Sequence, residues 1–256
     1  MNPFIHTDVR DGVQRIEIRR PEKKNALTIA MYAALADALH AAERDERVRA
    51  ILIHGQPDVF TSGNDVHDFL HNPPQDLEAP VFRFLRALIQ ADKPIVASVA
   101  GDAVGVGTTM LLHCDVVIAS ENARFSLPFC KLGVCAEAAS SLALPLIVGW
   151  RRATELLLSG EPIDAARACD WGLVNDVVPG DRLEARTLAT LALLTSRPPA
   201  AMRANKALLR RKLMPHFEAV LEAEAREFHA LLSSPDAREA LSAFLEKRAP
   251  RFAHMT

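Results

Sequence analysis

The sequence lacks the features that mark two large classes of protein. Among its 256 residues, 30 Lys and Arg stand against 32 Asp and Glu, and the formal net charge is −2. There is thus no basic surplus of the kind that phosphate contacts to nucleic acid require. No run approaches the roughly 18 apolar residues that predict a membrane span. Neither nucleic-acid binding nor membrane insertion is therefore expected.

Cysteine is scarce and lacks the spacing of a metal or redox motif. The four cysteines, Cys114, Cys130, Cys135 and Cys169, form no C-x-x-C pair, which is the basic spacing of zinc ribbons and thioredoxin-like sites. The first residues show no basic stretch followed by an apolar one, which is the pattern of a secretory signal. We therefore expect a cytoplasmic protein with the cysteines as small core residues, and no metal or separate cofactor.

Strand and helix patterns alternate along the first part of the chain. Half-buried or buried strands are predicted at residues 12–18, 48–54, 94–99 and 115–119. Between them, Thr28 can cap an amphipathic helix, and residues 81–88 carry a second apolar helical face. This alternation predicts an α/β fold.

The chain changes character near Pro198, beyond which the patterns are helical. We therefore divide it into an α/β core, residues 1–197, and a C-terminal helical region, residues 198–256. The apolar face of the helical region, marked by Phe217 and Phe228, needs cover from the core or from another subunit.

A glycine-containing segment, residues 101–107, leads from a predicted strand toward a helix. Gly105 and Gly107 give G-x-G, but Met110 stands where a dinucleotide fingerprint has its third glycine, and no phosphate-loop Gly-Lys-Ser/Thr follows. One interpretation is a tight turn. The other is an anion site, because N–H groups near Val106 at a helix start have no intrahelical partner and can hold an oxyanion.

A second loop, residues 60–65, follows the predicted strand that ends at His54. Ligands gather at the carboxyl ends of strands in an α/β sheet, so this loop and the glycine segment can face each other. One backbone N–H group from each would then form an oxyanion hole.

Glu137 stands among small and apolar residues in the segment LGVCAEAASSL. It is either a first-turn residue supported by the helix dipole or a buried acid. Burial would raise its pKa by desolvation, which suits a carboxylate that abstracts a carbon-bound proton near neutral pH.

These segments together resemble the crotonase (enoyl-CoA hydratase/isomerase) superfamily over nearly the whole chain. The similar segments are residues 20–28, 60–65, 93–107, 114–115, 172–174 and 244–248. The resemblance implies a spiral of ββα units, a C-terminal helical trimerisation region, a homotrimer or a dimer of trimers, and an acyl-CoA thioester as substrate. It implies that the N–H groups of Asn64 and Val106 hold the thioester oxygen. It places substrate-binding residues at Ala26, Ser62, Gly63, Asp65, Gly105, Gly107, Phe129 and Lys247.

The resemblance also bears on the reaction. Hydratases of this family hold a water between two glutamates, and Thr109 and Phe129 stand at those positions here. The chain is most similar to the Δ3,Δ2-enoyl-CoA isomerase branch, notably in residues 62–65 and 137–141, where a glutamate at the Glu137 position is the acid/base. We therefore expect a 3-enoyl-CoA isomerase. The alternatives are another crotonase-type enzyme, such as an atypical hydratase, and a non-catalytic acyl-CoA-binding protein.

Two weaker patterns complete the sequence. His67 and His71 have the i, i+4 spacing of a zinc-binding helix, but Asp68 replaces the glutamate of that motif, and no third ligand is evident. A basic helical face comprises Arg203, Lys206, Arg210, Arg211 and Lys212. This face is either solvated or contacts the CoA phosphates together with Lys247.

Overall fold

A computed structural model describes residues 2–74 and 76–252 of the chain. The strands are β1 (Ile5–Arg10), β2 (Val13–Ile18), β3 (Ala50–His54), β4 (Val59–Thr61), β5 (Ile95–Val99), β6 (Asp102–Val104), β7 (Val116–Ser120), β8 (Arg124–Ser126), β9 (Ile163–Asp164) and β10 (Asp176–Val178). The helices are α1 (Ile29–Arg44), α2 (Val66–His71), α3 (Pro80–Gln90), α4 (Val106–Thr109), α5 (Ser140–Val148), α6 (Trp150–Ser159), α7 (Ala165–Asp170), α8 (Leu183–Thr195), α9 (Pro199–Arg210), α10 (Met214–Leu232) and α11 (Pro235–Leu245). None of these helices, as far as the structure describes the chain, combines the length and apolar character needed to cross a bilayer.

The strands alternate between two sheets. The larger sheet has the order β1-β2-β3-β5-β7-β10, and the smaller has the order β4-β6-β8-β9. Neighbouring strands run parallel except in the pairs β1–β2 and β8–β9. Each of the successive pairs β3–β4, β5–β6 and β7–β8 places one strand in each sheet. The chain therefore advances as a spiral, which confirms the predicted α/β crotonase-like fold with a helical C-terminal region.

The core forms where the sequence pattern places apolar faces. The Thr28 side chain caps α1 by accepting a hydrogen bond from the Met31 N–H at 3.3 Å. The helix therefore begins directly after the predicted cap residue. The rings of Tyr32 on α1 and Phe84 on α3 pack with their centroids 5.7 Å apart. Full burial of one large apolar side chain stabilises a fold by roughly 1.5–3 kcal/mol, and both helices bury several.

The strands of the smaller sheet escape the sequence pattern. The four predicted strands are confirmed, to within two residues at each end, as β2, β3, β5 and β7. In contrast, β4 and β6 have three residues each; β4 overlaps the predicted loop of residues 60–65, and β6 lies inside the glycine-containing segment. Three residues are too few to show an apolar period, so only pairing with their neighbours defines these strands.

Two basic residues of α9 fix this helix to the α/β core. The Lys206 Nζ donates to the Asp115 carboxylate at 2.6 Å and to the Lys93 carbonyl at 2.7 Å. The Arg210 guanidinium donates to the His113 carbonyl at 2.8 Å. Lys206 and Arg210 therefore hold the fold together, and they belong neither to a solvated face nor to a face that contacts CoA phosphates. Both alternatives stay open for the exposed Arg203, Arg211 and Lys212.

Candidate active site

The two predicted loops lie side by side because β4 and β6 are parallel neighbours. Thr61 of β4 pairs with Ala103 of β6, so the loop after β4 and the turn after β6 leave the same edge of the smaller sheet. A β-carbon at Gly63 would lie 2.7 Å from the Val104 carbonyl oxygen, and one at Gly107 would lie 2.7 Å from the Thr61 Cγ2. Only glycine permits this close approach of the two loops.

The first loop is held so that one N–H group is left over. The Leu27 N–H donates to the Gly63 carbonyl at 2.8 Å, and the Asp65 N–H donates to the Leu27 carbonyl at 2.9 Å. These bonds form a short parallel bridge between Leu27 and Asn64. The bridge does not use the Asn64 N–H, which has no acceptor among the described residues. This group is free to bind a ligand oxygen.

The glycine turn leaves a second such group at Val106. Gly105 has φ 55° and ψ −117°, a backbone conformation open essentially to glycine. Its carbonyl accepts from the N–H groups of Thr108 and Thr109, both at 2.9 Å. Val106 begins α4, and its N–H has no acceptor in the described part of the chain. Because α4 has only four residues, the unpaired N–H matters here more than a helix dipole.

Four predicted substrate-binding residues lie on or beside the first loop. The Ser62 N–H donates to the Lys24 carbonyl at 3.0 Å, which brings the segment before α1 that contains Ala26 beside Ser62 and Gly63. The Asp65 carboxylate accepts from the Arg20 guanidinium at 2.7 Å and caps α2. This carboxylate is therefore engaged in holding the loop in place.

Two further predicted residues, Phe129 and Lys247, lie apart from this loop. The Phe129 ring lies near the glycine turn, since a β-carbon at Gly105 would be 3.9 Å from its Cε1. Lys247 is exposed after the end of α11, and it does not line the cavity described below. A role for Lys247 in substrate binding stays a prediction.

Glu137 is a buried acid rather than a first-turn residue. It precedes α5 by the two turn residues Ala138 and Ala139, and it is 9% exposed. The Thr109 hydroxyl donates to its Oε1 at 2.5 Å. Burial raises the pKa of Glu137 to about 8, the Thr109 hydrogen bond opposes this rise, and the charge of Glu224 adds to it.

Asn64 and Glu137 line one small cavity. Its other walls are mostly apolar side chains of α2, α3 and α10, including Phe69, Phe82 and Phe228. The cavity holds about 20 Å³, space for roughly one water. A neighbouring cavity of about 240 Å³ shares Phe82 and Phe228 with it. The pair of cavities offers apolar space that leads away from Glu137 between α3 and α10.

Tyr32 and Glu224 contribute to the site without being evident from the sequence, and Thr109 is evident there only as the residue at a hydratase glutamate position. Tyr32 is the only tyrosine of the chain, and its hydroxyl donates to the Asn64 side-chain oxygen. Burial and then the charge of Glu137 raise the pKa of Tyr32 well above its ordinary value. Thr109 is a direct partner of Glu137, and Glu224 of α10 acts on it by charge. For Tyr32, the sequence signal is a single tyrosine on the apolar face of α1.

The histidine pair on α2 makes contacts within its own helix. The rings of His67 and His71 stack with centroids 4.3 Å apart, and the His71 Nδ1 lies 2.7 Å from the His67 carbonyl oxygen. Within residues 2–74 and 76–252, no three His, Cys, Asp or Glu side chains are grouped to hold a metal ion.

Comparison with known proteins gives consistent matches over nearly the whole chain. The family model described as enoyl-CoA hydratase/isomerase matches residues 8–255. The chain is 34% identical over 245 residues to enoyl-CoA delta isomerase 2 of Homo sapiens, a match that covers 93% of this chain and 62% of the human protein. It is 36% identical over 241 residues to 2,3-dehydroadipyl-CoA hydratase of Escherichia coli strain K12, with 93% of each chain covered.

A solved structure shows the same likeness. The crystal structure of an enoyl-CoA hydratase/isomerase from Pseudoalteromonas atlantica T6c superposes with a TM-score of 0.94 at 42% identity, covering 98% of this chain and 100% of that one. Since similar proteins bear both isomerase and hydratase names, the reaction has to be argued from the residues of the site.

Proposed function

Because the chain belongs to the enoyl-CoA hydratase/isomerase family, we propose that it converts a 3-enoyl-CoA to a 2-enoyl-CoA. The observation that carries this proposal is the cavity shared by Asn64 and Glu137. A proton shift beside a thioester needs a donor for the oxygen and a carboxyl group that changes its protonation state. Asn64 and Glu137 line the same mostly apolar cavity, and the Glu137 carboxyl group is buried.

The oxyanion is bound by the free N–H groups of Asn64 and Val106. Removal of a C2 proton places negative charge on the thioester oxygen, so donors directed at that oxygen stabilise the dienolate more than the substrate. One such donor is worth about 3–4 kcal/mol in acyl-transfer enzymes. The glycines that bring the two loops together therefore contribute to the rate through backbone geometry.

Glu137 moves the proton. Its carboxylate takes a proton from C2, and the electron pair of the C2–H bond spreads over the thioester oxygen and C4. The resulting carboxylic acid returns the proton to C4, which leaves the double bond between C2 and C3. Proton and electron counts balance, and one acid/base suffices because both transfers occur on one face of the substrate.

Thr109 and Phe129 argue against hydration by two glutamates. Thr109 donates its hydroxyl hydrogen to Glu137, and Phe129 places an apolar ring near Gly105. Neither side chain can act as a carboxylate base toward a water. General acid/base help is worth roughly 10²–10⁴-fold per group, so we expect negligible hydratase activity.

Product analysis tests the proposal. The protein is incubated separately with a 3-enoyl-CoA and a 2-enoyl-CoA, and exchange of the C2 proton in D₂O is followed in parallel. We expect the 3-enoyl-CoA to become a 2-enoyl-CoA, and the 2-enoyl-CoA to gain no water. Rapid formation of a 3-hydroxyacyl-CoA would instead indicate an atypical hydratase. Binding without C2 exchange would indicate a non-catalytic protein.

A further inference from the structure

Glu224 of α10 is a second buried carboxylate, and it contacts the start of α5 at Ser141, four residues after Glu137 in the chain. It is 7% exposed, and its Oε1 accepts a hydrogen bond from the Ser141 N–H at 2.8 Å. Its Oε2 is buried and has no hydrogen-bond partner in the described ranges. The proton shift proposed above does not use this group. Since burying a charge is costly, its position calls for a reason.

The start of α5, where Glu224 binds, has no cap of its own. Ala139 precedes the helix and offers no side-chain acceptor, so the first N–H groups of α5 depend on acceptors from elsewhere. Burial raises the pKa of Glu224, and the hydrogen bond from Ser141 reduces this rise. The carboxylate therefore does for α5 what an N-cap side chain does for other helices.

The segment between Glu137 and α5 is strained and is held from both sides. Ala138 and Ala139 have φ 62° and 53°, the left-handed region that residues other than glycine seldom adopt. The His113 Nε2 lies 2.6 Å from the Ala138 carbonyl oxygen, so this nitrogen carries the proton and donates it. Burial lowers the pKa of His113 to about 4. Neutral His113 binds the carbonyl side of the turn, while Glu224 binds the N–H side.

The charge of Glu224 also acts on Glu137. Burial is the main cause of the raised pKa of Glu137, and repulsion by Glu224 adds to it. The other groups around the two carboxylates are Tyr32 of α1, Thr109 of α4, His113 and Cys135. Burial and the charge of Glu224 raise the pKa of Cys135 to about 11. Of these neighbours of Glu137, Glu224 is the one carboxyl group.

We propose that Glu224 is a positioning residue for Glu137: its carboxylate caps α5 from the C-terminal helical region, holds the Ala138–Ala139 turn and places a negative charge beside the acid/base. This inference rests on the function proposed above for Glu137. It makes the acid/base depend on the docking of α10 against the core.

Glu224→Gln tests the charge. Glutamine keeps the shape and an acceptor oxygen for the Ser141 N–H, so the fold should persist. The pH at which Glu137 titrates should fall by on the order of one unit, since a nearby charge shifts a buried carboxyl group by roughly 1–3 units. Titration is read by ¹³C NMR of protein labelled at the glutamate δ-carbons, with the Glu137 signal identified by its loss in Glu137→Gln. Glu227→Gln, on the exposed side of α10, is the matched control.

Glu224→Asp tests the positioning. It keeps the charge but shortens the reach by one methylene, so the titration of Glu137 should stay near that of the wild type. Its kcat should fall by about tenfold or more, because misplacing a reacting group by about 1 Å can cost roughly 10²-fold. The KM for the acyl-CoA should change far less. Unchanged kcat in this variant, or unchanged titration of Glu137 in Glu224→Gln, would overturn the proposal.

The NMR titration separates this inference from the proposed function, because it needs no turnover. A downward shift of the Glu137 titration in Glu224→Gln, in a protein that does not isomerise a 3-enoyl-CoA, would sink the proposed function and leave the link between the two carboxylates standing. Isomerase activity with no shift of the Glu137 titration and no loss of kcat in either variant would support the proposed function and sink the proposed role of Glu224.

Discussion

At the scale of single residues, the properties of Glu137 follow from opposing contributions to its pKa. Desolvation favours the neutral acid, and the Thr109 hydroxyl favours the carboxylate. With a pKa of about 8, roughly a tenth of the free protein carries the base form at pH 7. A carboxyl group poised in this way can take up a proton from carbon and release it again within one reaction cycle.

Glu137→Gln should abolish isomerisation while leaving binding intact. Glutamine keeps the size and hydrogen bonding of the side chain but cannot accept the C2 proton, so kcat should fall by roughly 10²–10⁴-fold. Affinity for an acyl-CoA, measured by calorimetry, should be nearly unchanged because the lost interaction belongs to the transition state. Glu121→Gln, at an exposed carboxylate, serves as the control. Wild-type turnover in Glu137→Gln would exclude Glu137 as the acid/base.

The pH dependence of the rate should report the Glu137–Thr109 pair. Because the carboxylate is the active form, kcat/KM should rise with pH and level off above about pH 8. Thr109→Val removes a hydrogen bond to the charged form, worth about 1.5–3 kcal/mol. In Thr109→Val, the rise of kcat/KM should therefore occur at a pH higher by roughly one to two units. Thr109→Ser keeps the hydroxyl and should resemble the wild type. Identical pH profiles for Thr109→Val and the wild type would contradict the role of the Thr109 hydroxyl in stabilising the Glu137 carboxylate.

At the scale of elements, the site depends on two short parallel strands. β4 and β6 fix the spacing of the Asn64 and Val106 loops, and Gly63, with φ 86°, lets the first loop approach the Val104 carbonyl. The backbone thus places the proposed donors without any donor side chain. Side-chain substitutions at Asn64 or Val106 leave both N–H groups in place. The placement of these N–H groups is therefore better perturbed by a substitution at Gly63.

Gly63→Ala should lower both stability and kcat. The new methyl group would lie 2.7 Å from the Val104 oxygen, and a left-handed alanine costs about 1–3 kcal/mol. Separation of the two loops should weaken oxyanion binding, with up to roughly 10²-fold lower kcat. Thermal unfolding and steady-state kinetics measure the two effects. Gly180→Ala is the control, since a β-carbon there meets no atom within 4 Å.

At the scale of the whole molecule, apolar side chains remain uncovered in the single chain. Trp150 is 74% exposed, Leu209 is 81% exposed and Phe244 is 58% exposed. These residues lie on α6, α9 and α11, so the uncovered surface includes the C-terminal helical region. Apolar surface of this kind commonly marks an interface between subunits.

We expect a homotrimer or a dimer of trimers in solution. Light scattering at micromolar concentration should give three or six times the mass of one chain. Trp150→Glu introduces a charge into the uncovered apolar surface and should shift the equilibrium toward smaller species. A wild-type protein that stays monomeric at that concentration would contradict the expectation.

The periodic part of the fold can be predicted from the sequence. The apolar runs give β2, β3, β5 and β7, and the Thr28 cap gives the start of α1. Glycines and an isolated Glu137 among small residues identify the segments of the candidate site. These features are local, because a strand or helix that buries one face repeats its apolar residues at a fixed period.

The groups that meet at the site are brought together by the folding of the whole chain. Thr109 and Glu137 are 28 residues apart, Tyr32 and Asn64 are 32 apart, and Ser141 and Glu224 are 83 apart. No local period records such pairs, since the spiral of the chain and the docking of α10 bring them together. The protonation of Glu137 depends on burial from several elements at once, and desolvation is a property of the assembled fold. For this reason the sequence could identify the carboxylate, while its hydrogen-bond donor and its charged neighbour became visible only in the folded chain.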